Sequence, residues 1–200
     1  MKLYTSLTSP FARKVRVAVI EKRLSDLVET IVLDPWASPD ELVRVNPLSQ
    51  VPTLVLDNGL PLSNSDTIID WLERQYPTPA LLPDDEKLRT QALAIAALTQ
   101  GMIECTVDIV LERRKTTVQQ GRAMIERRLV TIDRVIDTLA TRFKPDTRHF
   151  HLDGMGVACA LAYLDLRVPE RNWRKRSKQL ATWQTWAAER DSMRATQPPP

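Results

Sequence analysis

The chain has 200 residues, 43% of them apolar and 26% charged, with a net charge of +3 at pH 7. That balance belongs to a globular protein with a real core, and it excludes disordered and fibrous classes. No apolar run approaches the roughly 20 residues that span a bilayer, and the opening MKLYTSLTSPF lacks the continuous apolar stretch of a secretion signal. Cys105 and Cys159 stand far apart in apolar helical contexts and read as small buried hydrophobes, not as a disulfide framework. A reducing, cytoplasmic home is the expectation.

Lys2 to Ser6 is a short strand candidate. Ser9-Pro10 then starts a helix well: proline suits the first helical position, and serine before it is a favoured cap. Arg13 to Arg23 carries Val15, Val17, Ala18, Val19 and Ile20, the pattern of a helix buried along much of its surface. Leu27 to Leu33 (LVETIVL) is rich in β-branched residues and reads as a buried strand. After the loop DPWASP comes a short helix around Asp40 to Val45. VPTLVLDNGLPL shows two apolar runs around Asn58-Gly59, a strong hairpin signal, and Pro61 confines the second run to a sheet edge. SNSDTIIDWLERQY places Ile68, Ile69 and Leu72 on one helical face. The order is β-α-β-α-β-β-α, over residues 1–78.

The proline-punctuated stretch 79–86 reads as a linker, and residues 87–200 as an all-helical domain. Leu88, Ala92, Ile95, Thr99 and Met102 follow helical spacing. Ile125, Leu129, Ile132, Ile136, Leu139 and Phe143 form an amphipathic helix packed on a core. GMGVACALAYLDLR (Gly154 to Arg167) is nearly apolar all round and hence central. A fourth helix spans Ser177 to Glu189, and the tail TQPPP is expected to fray. His149 and His151 lack the companions that a metal site needs, so no metal is expected. The basic run Arg167 to Lys178 surrounds Trp173, but one short run usually marks a solvated segment, so nucleic-acid binding is disfavoured.

Three stretches carry the chemistry. Ser9 is a cap, and also a hydroxyl at the positive end of a helix. In NPLSQVPTL, Pro52 begins a strand inside an apolar segment. A cis Val51–Pro52 bond would turn the backbone of Val51 outward to pair with a peptide-like ligand, the alternative being a trans edge proline. In LSNSDTI, Ser65 opens a helix whose unpaired N–H groups attract carboxylates, the alternative being a helix cap with no ligand. Together these features offer a site for a small, extended, peptide-like acid.

SPFARKVRV, NPLSQVPTL and LSNSDTIIDWL, in that order before a proline-rich linker and a helical domain, resemble the cytosolic glutathione S-transferases, in particular bacterial members that use serine. The resemblance covers essentially the whole chain. It implies a thioredoxin-like N-terminal domain, a helical-bundle C-terminal domain, glutathione as co-substrate, a small electrophilic second substrate and a homodimer, with no membrane. It assigns Ser9 as the catalytic serine beside the glutathione thiol. Ser9 also matches the first cysteine of the glutaredoxin Cys-Pro-Tyr-Cys motif, here Ser9-Pro10-Phe11-Ala12. Cysteine is absent at both ends, which disfavours thiol–disulfide exchange through an enzyme mixed disulfide. Val51 matches the residue pairing with the cysteinyl unit, and Asn64 and Ser65 match the pair that holds the γ-glutamyl end, where Glu or Gln is usual in place of Asn64. Phe11, Met102, Cys105 and Tyr163 are candidates for the second-substrate pocket. Arg13 and Lys14 either raise the local positive potential or are solvated surface groups. A non-catalytic, partner-binding protein on the same scaffold is the competing expectation, kept in view by Asn64 and the basic run.

Overall fold

The structure, a computed structural model, describes residues 1–199. The chain divides into two compact units: Met1–Leu81 together with the segment from Arg190 onward, and Leu82–Glu189.

The first unit begins with β1 (Lys2–Thr5), α1 (Pro10–Glu21) and β2 (Glu29–Val32), followed by a 3-10 turn, Pro35–Ala37. It continues through α2 (Asp40–Val45), β3 (Thr53–Val55), β4 (Pro61–Ser63) and α3 (Ser65–Gln75). The sheet order is β2-β1-β3-β4. β1 runs parallel to β2 and antiparallel to β3, with Leu3 opposite Thr30 on one side and Leu54 on the other. The hairpin forms at Asn58-Gly59: Leu56 N–H donates to Leu60 O, Leu60 N–H to Asn58 Oδ1, and Gly59 adopts φ +84°. That backbone angle is open to glycine at no steric cost. Pro61 sits on the edge strand β4, where its missing N–H breaks no ladder.

Leu3, Val15, Ala18, Leu54, Ile68 and Leu72 are wholly buried and form the core of this unit. Each large aliphatic side chain contributes roughly 1.5–3 kcal/mol by leaving water. The expectation of a buried strand at Leu27 to Leu33 does not hold. β2 is an edge strand paired only to β1, and Glu29, Thr30 and Val32 are exposed. The β-branched residues satisfy the pleat without being covered.

The second unit contains α4 (Glu86–Arg114), α5 (Arg122–Arg142), α6 (Leu152–Arg167) and α7 (Lys178–Ala188). By length and composition alone α4 could cross a membrane. Here Ala92, Ile95, Met102, Ile103 and Ile109 are buried instead, and the helix packs on α5 and α6. The five spaced residues from Leu129 to Phe143 are buried as the periodicity demands. α6 is central, with Met155, Val157, Ala158, Cys159 and Leu161 almost wholly enclosed. No side chain caps its start at His151. Cys105 and Cys159 are both buried and form no disulfide.

The chain does not stay helical-domain to its end, as the range 87–200 supposed. α8 (Asp191–Ala195) packs on α1. Arg13 donates to Met193 O at 3.0 Å and to Thr196 Oγ1 at 3.3 Å, and Glu21 accepts from Arg190 and Ser192. Thr196, expected to fray, is fully buried. Pro200, the last residue of that tail, lies outside the described residues.

Candidate active site

Ser9 is the N-cap of α1 (φ −78°, ψ 122°), and its Oγ accepts the Ala12 N–H at 3.2 Å. A capping hydroxyl spends a lone pair and keeps its proton. Capping and donation to a ligand are therefore compatible uses of the one oxygen, which is half-buried. Arg13 and Lys14, four and five residues on, are 6% and 2% exposed. They are not solvated surface groups, because α8 and α3 cover them.

Val51 is half-buried and lies just outside the ladder, whose last pair on that side is Tyr4 with Thr53. The Val51–Pro52 bond is cis, as is Thr78–Pro79. The loop that presents Val51 is organised by a residue whose role the sequence did not reveal. Asn46, 1% exposed, donates to Gln50 O at 3.0 Å and Thr53 Oγ1 at 2.9 Å, and accepts from Leu48 N–H at 3.1 Å. The signal available was an asparagine before proline at the end of a helix, a common turn former.

Asn64, not Ser65, caps α3. It sits at φ 75° and ψ 132°, a conformation that L residues rarely adopt, and its Oδ1 accepts Asp66 N–H at 2.8 Å. Backbone strain of this kind concentrates at functional sites. Ser65, the first helical residue, is 2% exposed, and its Oγ has no hydrogen-bond partner among the described residues. A buried, unsatisfied hydroxyl costs about 1–3 kcal/mol. It stands where the first N–H groups of α3 also lack intrahelical partners.

The second-pocket candidates fall on different elements. Phe11 is half-buried on α1 in the first unit. Met102 is wholly buried in the core of the second unit. Cys105 belongs to a groove between α4 and α5, with Gly101, Asp108, Arg128 and Thr131, and its thiol faces Arg128 Nη1 at 3.9 Å. Burial raises the Cys105 thiol pKa, with Arg128 partly opposing it. Tyr163, buried on α6, has the Arg167 guanidinium 5.9 Å from its ring centre. Burial likewise raises its phenol pKa. Neither Met102 nor Tyr163 lines the groove at Cys105.

Three arginines of the basic run, Arg171, Arg174 and Arg176, are paired with carboxylates within their own unit. Arg174 and the Trp173 indole N–H share Asp165 at 2.5 and 2.7 Å. Arg176 meets Asp137 at 2.7 Å, and Arg171 lies 3.6 Å from Asp133. Trp173, 2% exposed, offers no stacking face to a base. His149 and His151 stack on each other, and among the described residues no group of three or more metal-ligating side chains occurs.

A four-stranded thioredoxin-like sheet with serines at the starts of two helices, followed by a helical unit, defines a recognisable class. Residues 8–75 match the family described as glutathione S-transferase, N-terminal domain. The chain is 30% identical over 204 residues to the uncharacterized GST-like protein YibF of Escherichia coli K12, spanning 100% of this chain and 99% of that protein. A crystal structure of a glutathione transferase family member from Pseudomonas fluorescens Pf-5, with bound glutathione, superposes with a TM-score of 0.93. It is 33% identical, over 100% of this chain and 99% of that one. A glutathione S-transferase from Methylobacterium radiotolerans, in complex with glutathione sulfonate, gives a TM-score of 0.91 at 29% identity, over 98% and 94% of the two chains. The protein belongs to the glutathione S-transferase family.

Proposed function

We propose that the protein is a glutathione transferase that binds glutathione on its first unit and activates the thiol for attack on a small electrophilic molecule. The observation that carries this reading is Ser65: a buried hydroxyl without a partner, at the N-terminus of α3, beside a strained Asn64. An anionic ligand such as the γ-glutamyl carboxylate would satisfy both the hydroxyl and the helix N–H groups. Val51 would pair with the cysteinyl unit, and Ser9 would donate its remaining proton to the sulfur.

The magnitudes are adequate. A free thiol with a pKa of about 8.5 is only a few per cent thiolate at pH 7, and lowering that to about 6.5 needs ~2.7 kcal/mol. A hydrogen bond to a charged acceptor supplies about 1.5–3 kcal/mol, and a helix N-terminus adds some tenths more. Serine acts here as a donor, because its own proton is held too tightly for it to be the base. The Pseudomonas family member binds S-(propanoic acid)-glutathione as well as glutathione itself, so a conjugate fits a related site. The internal pairing of the Arg171, Arg174 and Arg176 side chains weakens the charge argument for a partner-binding regulator. A cytoplasmic homodimer completes the proposal, the family's usual assembly.

Calorimetric titration with glutathione tests it. The protein should bind glutathione, and Ser65→Ala should weaken binding about tenfold, the worth of one hydrogen bond to a charged group. Absence of binding at millimolar glutathione would overturn the reading.

A further inference from the structure

Two lysines of the first unit are almost wholly buried, and both join the same pair of helices. Lys14 Nζ meets Asp66 Oδ1 at 2.5 Å, with Lys14 2% and Asp66 54% exposed at the side chain. Lys22, the C-cap of α1, meets Glu73 Oε2 at 2.5 Å, with 0% and 12% exposure. The first pair joins the opening turns of α1 and α3. The second joins their far ends, where Lys22 also donates to Pro79 O at 2.8 Å and Glu73 accepts Leu81 N–H at 3.0 Å.

The chemistry is the same but the neighbourhoods differ. Lys22 and Glu73 brace the chain leaving the unit. Lys14 instead grips the residue directly after Ser65. Asp66 is thus fixed twice, its N–H by Asn64 Oδ1 and its carboxylate by Lys14. Ser65 lies between two immobilised residues. Lys14 in turn sits five residues after Ser9, in the first turns of α1. With only the lysine end buried, the pair adds little net stability, because desolvation of the ammonium offsets much of the attraction; what it supplies here is a fixed geometry.

We propose that Lys14 is a positioning residue for glutathione, acting through Asp66 to hold the Asn64–Ser65 turn in register with Ser9. The proposal rests on the reading of the site as glutathione-binding. Lys14 does not touch the ligand in this role. It sets where Ser65 and the first N–H groups of α3 stand relative to the helix that carries Ser9.

Lys14→Met replaces the ammonium with an apolar chain of similar length and leaves no buried unpaired cation, and Lys22→Met is the matched control. Glutathione affinity is read by calorimetry and folding by circular dichroism and thermal unfolding. In Lys14→Met the dissociation constant for glutathione should rise about five- to tenfold, whereas in Lys22→Met it should stay within about twofold even if the melting temperature falls more. Asp66→Asn combined with Lys14→Met should be no weaker than Lys14→Met alone, because both act through one contact. Should Lys14→Met fail to fold, Lys14→Leu, which also removes the donor to Asp66, serves in its place. A folded Lys14 variant with unchanged affinity, or equal weakening in both lysine variants, would overturn the positioning role while leaving the glutathione site intact. A wild-type protein that does not bind glutathione would overturn both.

Discussion

Gly156 on α6 faces Thr99 on α4 so closely that a Cβ at position 156 would stand 2.4 Å from Thr99 Oγ1. The glycine is required by that approach, not by its backbone angle. Gly156→Ala is expected to cost about 1–3 kcal/mol, the usual penalty for overpacking a core. Thr99→Ala in the same chain should recover part of the loss, since neighbouring substitutions couple. Urea unfolding of the single and double variants measures this, and strict additivity would show that the contact is not the cause.

Ser9→Ala should lower turnover roughly ten- to a thousandfold, about 1.4–4 kcal/mol of transition-state stabilisation. Glutathione affinity should fall much less, because in the proposed site Val51, Asn64 and Ser65 would hold the rest of the tripeptide. The pKa of the bound thiol, followed by thiolate absorbance against pH, should rise toward its free value. As a cap alone, Ser9 would cost ~1 kcal/mol of stability on replacement and leave turnover per folded molecule unchanged.

Removing the chain from Arg190 onward should destabilise the first unit by about 3–5 kcal/mol, the cost of stripping partners from buried charges. Arg13 would lose Met193 O and Thr196 Oγ1, and Glu21 would lose Arg190 and Ser192. Arg190→Met is the milder companion and should cost less. Chemical unfolding within about 0.5 kcal/mol of wild type, the range of an inert surface change, would rule out a structural role for the segment.

Burial raises the carboxyl pKa of Asp153 above its ordinary value of 3.8, with the Gly154 N–H opposing in part. The folded state therefore holds this proton more tightly than the unfolded one. Its contribution to stability is full below pH 3.8 and is lost as pH rises through the raised value. Asp153→Asn, which keeps a side-chain acceptor, should be more stable than wild type at pH 7 and should flatten the decline above pH 4. Denaturation midpoints measured across pH 3–7 decide it; a uniform loss at every pH would contradict the burial argument.

Local chemistry made elements of both units legible. Ser9-Pro10 had one good use, as the start of a helix. Asn58-Gly59 called for a tight turn, Pro61 called for an edge, and the spacing from Ile125 to Phe143 called for a buried helical face. Each is a constraint between residues close in sequence, so the order β-α-β-α-β-β-α followed, and with it the places of Ser9, Val51, Asn64 and Ser65. What the tertiary structure alone decided involves partners far apart in the chain. β-branched composition cannot tell an edge strand from a central one, and only the pairing of β2 to β1 alone exposed Val32. Arg13 and Lys14 look like solvated cations until α8 and Asp66, 180 and 52 residues away, close over them. The run from Arg167 to Lys178 looks like free positive charge until Asp133, Asp137 and Asp165 meet it. Burial and charge pairing are properties of the packed chain, and no window of neighbouring residues contains them.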